Sequence, residues 1–452
     1  MLNMFSKVKF LKKIEKVYRT SLFFSPTVSF AMNNKNCEGQ EVNNNNINNN
    51  VDNSEENTLY NNIVDRINNE SNIPGDQKLK FKEFLGKGTF GEVILVEYGS
   101  KKFALKVTKN TNRDKNESVV LSKLKKCIIS SYGSTRLIEN NNPYENRLIL
   151  ALEYCKYGNI KNFMEKTLKR DTMPETLICY IAGQIVNSLE FMHINKYVHL
   201  DLKPQNILVN EFLNFKLSDF STTCKYVENE MKNYKYIGTK FYMAPEVLKK
   251  SEITSYKNFF KPDVFSFGVM CYELFTGKHP YLKARGNYLD SRGNVNILKS
   301  INNNNIDIKA LEDNNASDVF KDFLLKCLEK NVDARPDIFQ LKKHPFINQC
   351  NILSDEKDKL YNTGNFLSYM LTDHFYNYNH ERDNYELRDG NLVLKNNNVD
   401  KNDNELENDN ELENEDLEQN KDNNFVSKNS KIKDVNKILL NKKTNRPKNK
   451  KK

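Results

Sequence analysis

Apolar side chains are in short supply, making up 38% of the 452 positions. A chain of this length folded from end to end would carry more of them, so a single compact fold is excluded and part of the polypeptide is expected to stay unfolded. No Cys-x-x-Cys pair occurs; the cysteines are scattered at 37, 127, 155, 179, 224, 271, 327 and 350. This spacing argues against a zinc site or a disulfide framework and for a reducing compartment. No apolar run approaches the roughly 18 residues that a membrane span needs. The basic stretch Lys7, Lys9, Lys12, Lys13, Lys16 and Arg19 precedes a short apolar one from Leu22 to Met32. Pro26 interrupts that run and no small-residue cleavage site follows, so it reads as a disordered arm in preference to a targeting segment.

The formal net charge of +10 invites a nucleic-acid reading until the charges are located. Between Lys421 and Lys452 there are 12 basic and 2 acidic residues, so the whole excess sits in this tail. The rest of the chain is nearly neutral. Residues 403–408 and 409–414 both read Asp-Asn-Glu-Leu-Glu-Asn, an acidic repeat ahead of the basic end. Opposite charge blocks of this kind are solvated and disordered as a rule. The Lys-rich end (Lys442, Lys443, Arg446, Lys448, Lys450, Lys451, Lys452) could serve as a nuclear signal or a weak polyanion contact, and biased codon usage accounts for it equally well. Asn runs such as Asn43–Asn46 mark 33–75 as low complexity, with too few apolar side chains to offset ordering entropy.

Between 79 and 347 the texture becomes periodic. Residues 79–107 read as three strands: one before a Gly-rich turn, one from Glu92 to Glu97, and one from Phe103 to Val107 after the Tyr98-Gly99-Ser100 turn. Further on, Leu177, Ile178, Ile181, Ile185, Leu189 and Met192 recur at helical spacing, as do Val319, Phe320, Phe323, Leu324 and Cys327. Strands first and long helices later indicate a small sheet-rich lobe joined to a larger helical one.

Gly86-Lys87-Gly88-Thr89-Phe90-Gly91-Glu92-Val93 is a Gly-x-Gly-x-x-Gly-x-Val loop. Missing Cβ atoms let backbone N–H groups approach phosphate oxygens. The apolar and β-branched run that follows (Val93, Ile94, Leu95, Val96) continues as a strand, whereas a dinucleotide-binding fold would open a helix there. Ala104 and Lys106 lie two apart on a strand and face the same way, a small side chain beside a base and an ammonium near phosphates. Glu117, with Val120, Leu121 and Leu124 after it at i+3, i+4 and i+7, has the spacing of an amphipathic helix whose Glu turns inward to that Lys.

His199-Leu200-Asp201-Leu202-Lys203-Pro204-Gln205-Asn206 is followed by Asp219-Phe220-Ser221, Gly238-Thr239 and Ala244-Pro245-Glu246. With these motifs in this order, residues 79–347 resemble the catalytic domain of the eukaryotic protein kinases, of serine/threonine type on account of Lys203 and Thr239. The resemblance implies an α+β bilobal fold with disordered flanks: a small antiparallel-sheet N-lobe with one helix, at about 79–152, and a larger helical C-lobe, at about 156–347. It implies Asp201 as catalytic base, Lys203 beside the transferred phosphoryl, Asn206 and Asp219 on Mg²⁺, and Lys106 with Glu117 positioning the phosphates of ATP. Around the nucleotide it places Gly86, Lys87, Gly88, Gly91, Val93, Ala104, Glu153, Cys155 and Leu208, with Leu152 as gatekeeper. His199 is expected to pack structurally, Glu246 and Arg335 to form a buried ion pair, and Asp263 to cap a buried helix that ends near Gly277. The expected partners are proteins with Ser or Thr acceptors, and the expected location is cytoplasmic, with the nucleus as a second compartment. Asn159 and Gln205 are neutral where Arg-directed kinases often carry acids, which disfavours a strongly basic consensus.

Two positions depart from the family pattern. Leu200 stands where most members have an Arg that grips an activation-segment phosphate, so phosphorylation at Thr222 or Thr223 is not expected to switch the protein in the usual way. Ser221 replaces the usual Gly, so this backbone is expected to be less free to flip. The catalytic and metal-binding positions are intact, which favours an active enzyme over the alternative, a nucleotide-binding pseudokinase or scaffold.

Overall fold

The computed structural model describes residues 53–69, 78–88, 91–125, 128–137, 147–228, 233–234, 236–282, 289, 294–349, 385–388 and 391–394. The N-terminal arm, the acidic repeat and the Lys-rich tail lie outside the described residues.

The expected N-lobe is a sheet of β1 (Lys80–Gly88), β2 (Gly91–Tyr98), β3 (Lys101–Thr108), β4 (Ser131–Leu137) and β5 (Arg147–Glu153), in the order β1-β2-β3-β5-β4. Every neighbouring pair is antiparallel. Gly99, in the left-handed region at φ 60°, makes the tight β2–β3 turn. One helix, α2 (Asn112–Lys123), crosses the inner face; Thr111 and Asp114 form a capping box at its start. Val93, Ala104, Lys106, Leu150 and Leu152 share that inner face, because Lys106 pairs with both Val93 and Leu150 while Ala104 pairs with Leu152.

The outer face differs from the expectation. The Asn-rich stretch that reads as low complexity contains α1 (Asn53–Asn69). Its Tyr60, Ile63, Val64, Ile67 and Asn68 are buried against Ile94, Val96, Phe103, Leu105, Val107, Ile149 and Ala151 of the sheet. These positions recur at i, i+3, i+4, i+7 and i+8, a narrow apolar stripe, while Asn and charged residues occupy the solvent side. Local composition is too polar to reveal the stripe. A lone helix of this length is marginal in water, and burial of each apolar side chain contributes about 1.5–3 kcal/mol once the sheet is there to receive it.

The C-lobe is built on α3 (Glu175–Ile194) and α5 (Lys261–Thr276), with α4 (Pro245–Lys249), α6 (Ile297–Asn303), α7 (Ile308–Asp313), α8 (Asp318–Cys327) and α9 (Ile338–Leu341) around them. Short antiparallel pairs, β6 (Tyr197–Val198) with β9 (Cys224–Lys225) and β7 (Ile207–Val209) with β8 (Phe215–Leu217), complete this lobe. A further pair, β10 (Tyr385–Arg388) with β11 (Asn391–Leu394), lies against α8. The helix after Phe260 starts before Asp263, so the expected cap is corrected. Asp263 sits inside the first turn and its carboxylate turns away into the catalytic loop. Gly277 does close that helix in the left-handed region, at φ 69°. α3 is apolar and long enough to cross a membrane by composition, but most of it is buried as the core helix of this lobe.

Glu246 and Arg335 form the expected ion pair, with guanidinium nitrogens 2.6 and 3.1 Å from the two carboxylate oxygens. Arg335 is wholly buried; it also donates to the carbonyls of Glu329 and Lys261 and lies over the Phe265 ring. Removing the carboxylate strands a charge with no access to water. Glu246→Ala is therefore expected to lower the unfolding free energy by about 3–5 kcal/mol in urea or guanidinium denaturation. A loss under about 1 kcal/mol would show that the pair is not buried as described.

Candidate active site

Lys106, on the inner face of β3, places its ammonium 2.9 and 2.8 Å from the carboxylate oxygens of Glu117 on α2 and 3.2 Å from Asp219 Oδ1. Burial favours loss of the Lys106 proton, but the two neighbouring carboxylates outweigh it and hold the amine above its ordinary pKa. Burial also pushes the Asp219 carboxyl up, and Lys106 more than compensates, so its net shift is downward. The cluster thus holds a cation and an ionised aspartate in a largely dry site.

Asp201 lies in the loop between β6 and β7. It accepts from Lys203 Nζ at 2.8 Å, from Asn206 Nδ2 at 2.9 Å, and from both the backbone N–H and the hydroxyl of Thr239 at 2.7 Å. Burial raises its pKa and these donors lower it further than burial raises it. Asn206 spends its Nδ2 on Asp201 and keeps its amide oxygen as the side chain's only acceptor. The Asn206 carbonyl accepts from the backbone and hydroxyl of Ser218, next to Asp219. The expected residues form two hydrogen-bonded clusters, Lys106 with Glu117 and Asp219, and Asp201 with Lys203 and Asn206; the backbone joins them where Ser218, bonded to the Asn206 carbonyl, precedes Asp219. Ser218 and Thr239 are not among the expected site residues: Thr239 carries a motif but no expected contact, and nothing in the sequence marks Ser218.

His199 has the expected structural part. Its Nδ1 accepts the Asp201 N–H at 3.3 Å, which leaves Nε2 to donate to the Ser218 carbonyl at 3.0 Å. Asp263 holds the loop from below, accepting the N–H groups of His199 and Leu200 and Nε2–H of His193, each at 2.9 Å. Leu200 sits in the left-handed region at φ 66°, a conformation that costs a bulky residue on the order of 1–3 kcal/mol and persists only where surrounding contacts impose it. Gly238 packs against the carbonyl of Leu200: a Cβ there would fall 2.2 Å from that oxygen.

Val93 and Leu208 are half-buried against the same apolar cluster as Ala104, Leu152 and Cys155. Burial and the adjacent Glu153 push the Cys155 thiol up to about 12, so it is an apolar wall and no nucleophile. The side chain of Glu153, at the end of β5 where the chain leaves the sheet through a hinge segment, is engaged by Lys216 of β8 at 2.6 Å and by Asn210, just after β7, at 3.0 Å. In the Gly-rich loop the three glycines differ. Gly86 has nothing near its missing side chain and Gly88 almost nothing, whereas a Cβ on Gly91 would lie 2.4 Å from the Val107 carbonyl. Gly91 is thus required by the β2–β3 packing, and Gly86 and Gly88 leave the room a phosphate needs. Lys87 is exposed and pairs with Glu92 at 3.0 Å. Thr89 and Phe90, at the tip, lie outside the described residues.

At the departures from the pattern, Leu200 is buried in the apolar core, and Ser221 lies in a short 3₁₀ turn (Phe220–Thr222) where no positive φ is needed; Asp219 itself takes the left-handed position, at φ 58°. Thr222 and Thr223 are 3% and 2% exposed. The Thr222 hydroxyl donates to the His199 carbonyl at 3.0 Å, and the Thr223 carbonyl accepts from Asn116 of α2 at 2.8 Å. Neutral contacts therefore hold the start of this segment. Thr223→Asp would bury an unpaired carboxylate and is expected to lower stability by about 3 kcal/mol or more, while Thr222→Ala, losing one hydrogen bond, costs about 1 kcal/mol. Thermal melts check both, and a Thr223→Asp variant as stable as wild type would contradict the burial.

The Protein kinase domain family model matches residues 79–347. Among curated proteins, the chain is similar to Serine/threonine-protein kinase 4 homolog A of Dictyostelium discoideum, 29% identical over 297 residues, covering 62% of this chain and 59% of that protein. It is also similar to the Dictyostelium serine/threonine-protein kinases dst4 and pakE, each 30% identical over 60% of this chain, with 54% and 28% of their own lengths covered. The chain thus spans well under two thirds of each of these relatives. With a family match over more than half its length, and with Lys106 of β3, Glu117 of α2, Asp219 after β8 and the loop aspartate Asp201 placed as above, the chain belongs to the protein kinase family, in its serine/threonine branch.

Proposed function

We propose that the chain transfers the γ-phosphoryl group of ATP to Ser or Thr hydroxyls of protein substrates. The observation that carries this reading is the placement of Asp201: an ionised carboxylate with Lys203 at 2.8 Å and Asn206 at 2.9 Å, beside a Lys106–Glu117 pair that also holds Asp219. Asp201 would accept the proton of the substrate hydroxyl as that oxygen bonds to the γ-phosphorus and the bond to the β,γ-bridging oxygen breaks, releasing ADP. Lys203 and Lys106 would offset charge on the phosphates, and the apolar side chains of Val93, Ala104, Leu152 and Leu208 would take the base.

Asn206 and Asp219 are the residues that would hold Mg²⁺. An amide oxygen and a carboxylate kept ionised form a hard-oxygen donor set, and Mg²⁺ typically takes one or two carboxylates with the rest of its shell from water and phosphate. Bound there, the ion would neutralise phosphate charge. Asn159, one of the neutral positions near the substrate side, spends its side chain capping the following helix, where it accepts the Asn162 N–H at 3.0 Å. This supports a consensus without a strong demand for basic residues. The Lys-rich tail is proposed as a weak polyanion contact, and a cytoplasmic location, with the nucleus as a second compartment, is proposed for the chain.

Radiolabelled phosphate transfer by the purified full chain tests the reading. Asp201→Asn is expected to lower turnover by roughly 10²–10⁴-fold while nucleotide binding persists, as loss of a base alone requires. Equal transfer by both proteins would sink the enzyme reading, and nucleotide binding without transfer by wild type would favour a pseudokinase.

The pH dependence follows from Asp201. Its carboxyl titrates below the ordinary 3.8, so it stays ionised, and contributes stability, above that value, and both are lost only as pH falls through the depressed pKa. No acid limb from this group is expected across roughly pH 5 to 8. Thr239→Val removes one of the donors and is expected to move the acid limb of kcat/KM upward; a limb that stays in place would show that Thr239 does not tune the base.

A further inference from the structure

We propose that α1 positions the Gly-rich lid, gripping β1 through Asn68 and Tyr60 so that the nucleotide site depends on a helix outside the family match. The proposal rests on the kinase reading above. β1 is an edge strand, paired only to β2, and most of its side chains are exposed. Backbone pairing to β2 holds one edge of it, its other edge has no strand partner, and two glycines lie at its end. What holds its start is Asn68, 2% exposed, whose Nδ2 donates to the Leu79 carbonyl and whose Oδ1 accepts the Leu79 N–H, both at 2.9 Å. A side-chain amide that exchanges both bonds with one residue does what a neighbouring strand would do.

The second grip is aromatic. The Tyr60 ring stacks on Phe81 at 5.8 Å and on Phe84 at 5.6 Å between centroids. Residues three apart on a regular strand face opposite sides. The register shift between Phe81 and Glu83 turns both rings to the side of Tyr60, and a second shift between Phe84 and Gly86 lies where the lid begins. A helix that served only to cover the apolar outer face would need neither the buried amide nor the paired bulges, since Ile63, Val64 and Ile67 already cover it. With the helix in place, β1 delivers Gly86 and Gly88 in one position over the phosphates; without it the lid would have to be ordered by the nucleotide, at a cost in affinity and not in chemistry.

Coupling of this kind is reciprocal, so bound nucleotide must tighten α1. Hydrogen exchange of the full wild-type chain, with and without Mg²⁺ and a non-hydrolysable ATP analogue, is expected to show slower exchange at 60–68 and 79–84 as well as at 86–93. Protection confined to 86–93 would overturn the proposal while leaving the kinase reading intact. If no segment responds, nucleotide does not bind, and both readings fall. In steady-state kinetics Tyr60→Leu, which keeps apolar cover but loses the flat ring, is expected to raise the KM for ATP about fivefold. Its kcat and peptide KM should stay within about twofold of wild type, and Tyr60→Phe should restore the ATP KM. Asn68→Ala should act as Tyr60→Leu does; should it fail to fold, the exchange data and Tyr60→Leu decide. An unchanged ATP KM in Tyr60→Leu, with activity falling only as folded protein is lost, would show α1 to be a cover and nothing more.

Discussion

A lysine ammonium held between two carboxylates is the contact on which the cleft depends. Lys106 belongs to β3, Glu117 to α2 and Asp219 to the segment after β8, so one cation joins three separately folded pieces. Taking such charges out of water costs several kcal/mol each, and the contacts offset this only when geometry and remaining hydrogen bonds are good. The demand for geometry is what gives the contact its structural force: α2 must lie against the sheet, and the lobes must stand at one separation, for all three groups to meet.

Asp263 does the corresponding work below the cleft. Buried, ionised and accepting from His193, His199 and Leu200, it fixes the backbone from which Asp201 projects and sustains the left-handed Leu200. Burial pushes its pKa up and the donor from His193 with its neighbours pulls it down further, so the helix carries a fixed negative charge under the loop. Asp201 is then held by neutral and charged donors, from Lys203, Asn206 and Thr239.

Much of this was legible in the residues themselves. The strand, loop, strand pattern at 79–107 and the helical stripes from Leu177 and from Val319 appear where periodicity places them, because each buries one face against a partner. Of the motif residues, Lys106 meets Glu117 and Asp219, and Asp201 meets Asn206. α1 was hidden because low apolar content over a window says nothing of the angular position of the few apolar residues in it. Asp263 was misread as a cap because an acid near a helix start is usually satisfied locally, and here distant backbone groups claim it.

Gly91 shows the same limit, since a glycine kept for strand packing and one kept for a ligand look alike in a motif. The order of the residues alone settled the family, the two-lobed architecture and the inventory of charged groups, because local patterning and chemically specific motifs are properties of short segments. The tertiary structure alone decided that an Asn-rich helix closes the outer face of the sheet, that Glu153 ties the hinge to Lys216, and that Thr222 and Thr223 are buried. Those outcomes rest on contacts between segments far apart in the chain, and such contacts exist only once the backbone has brought the segments together.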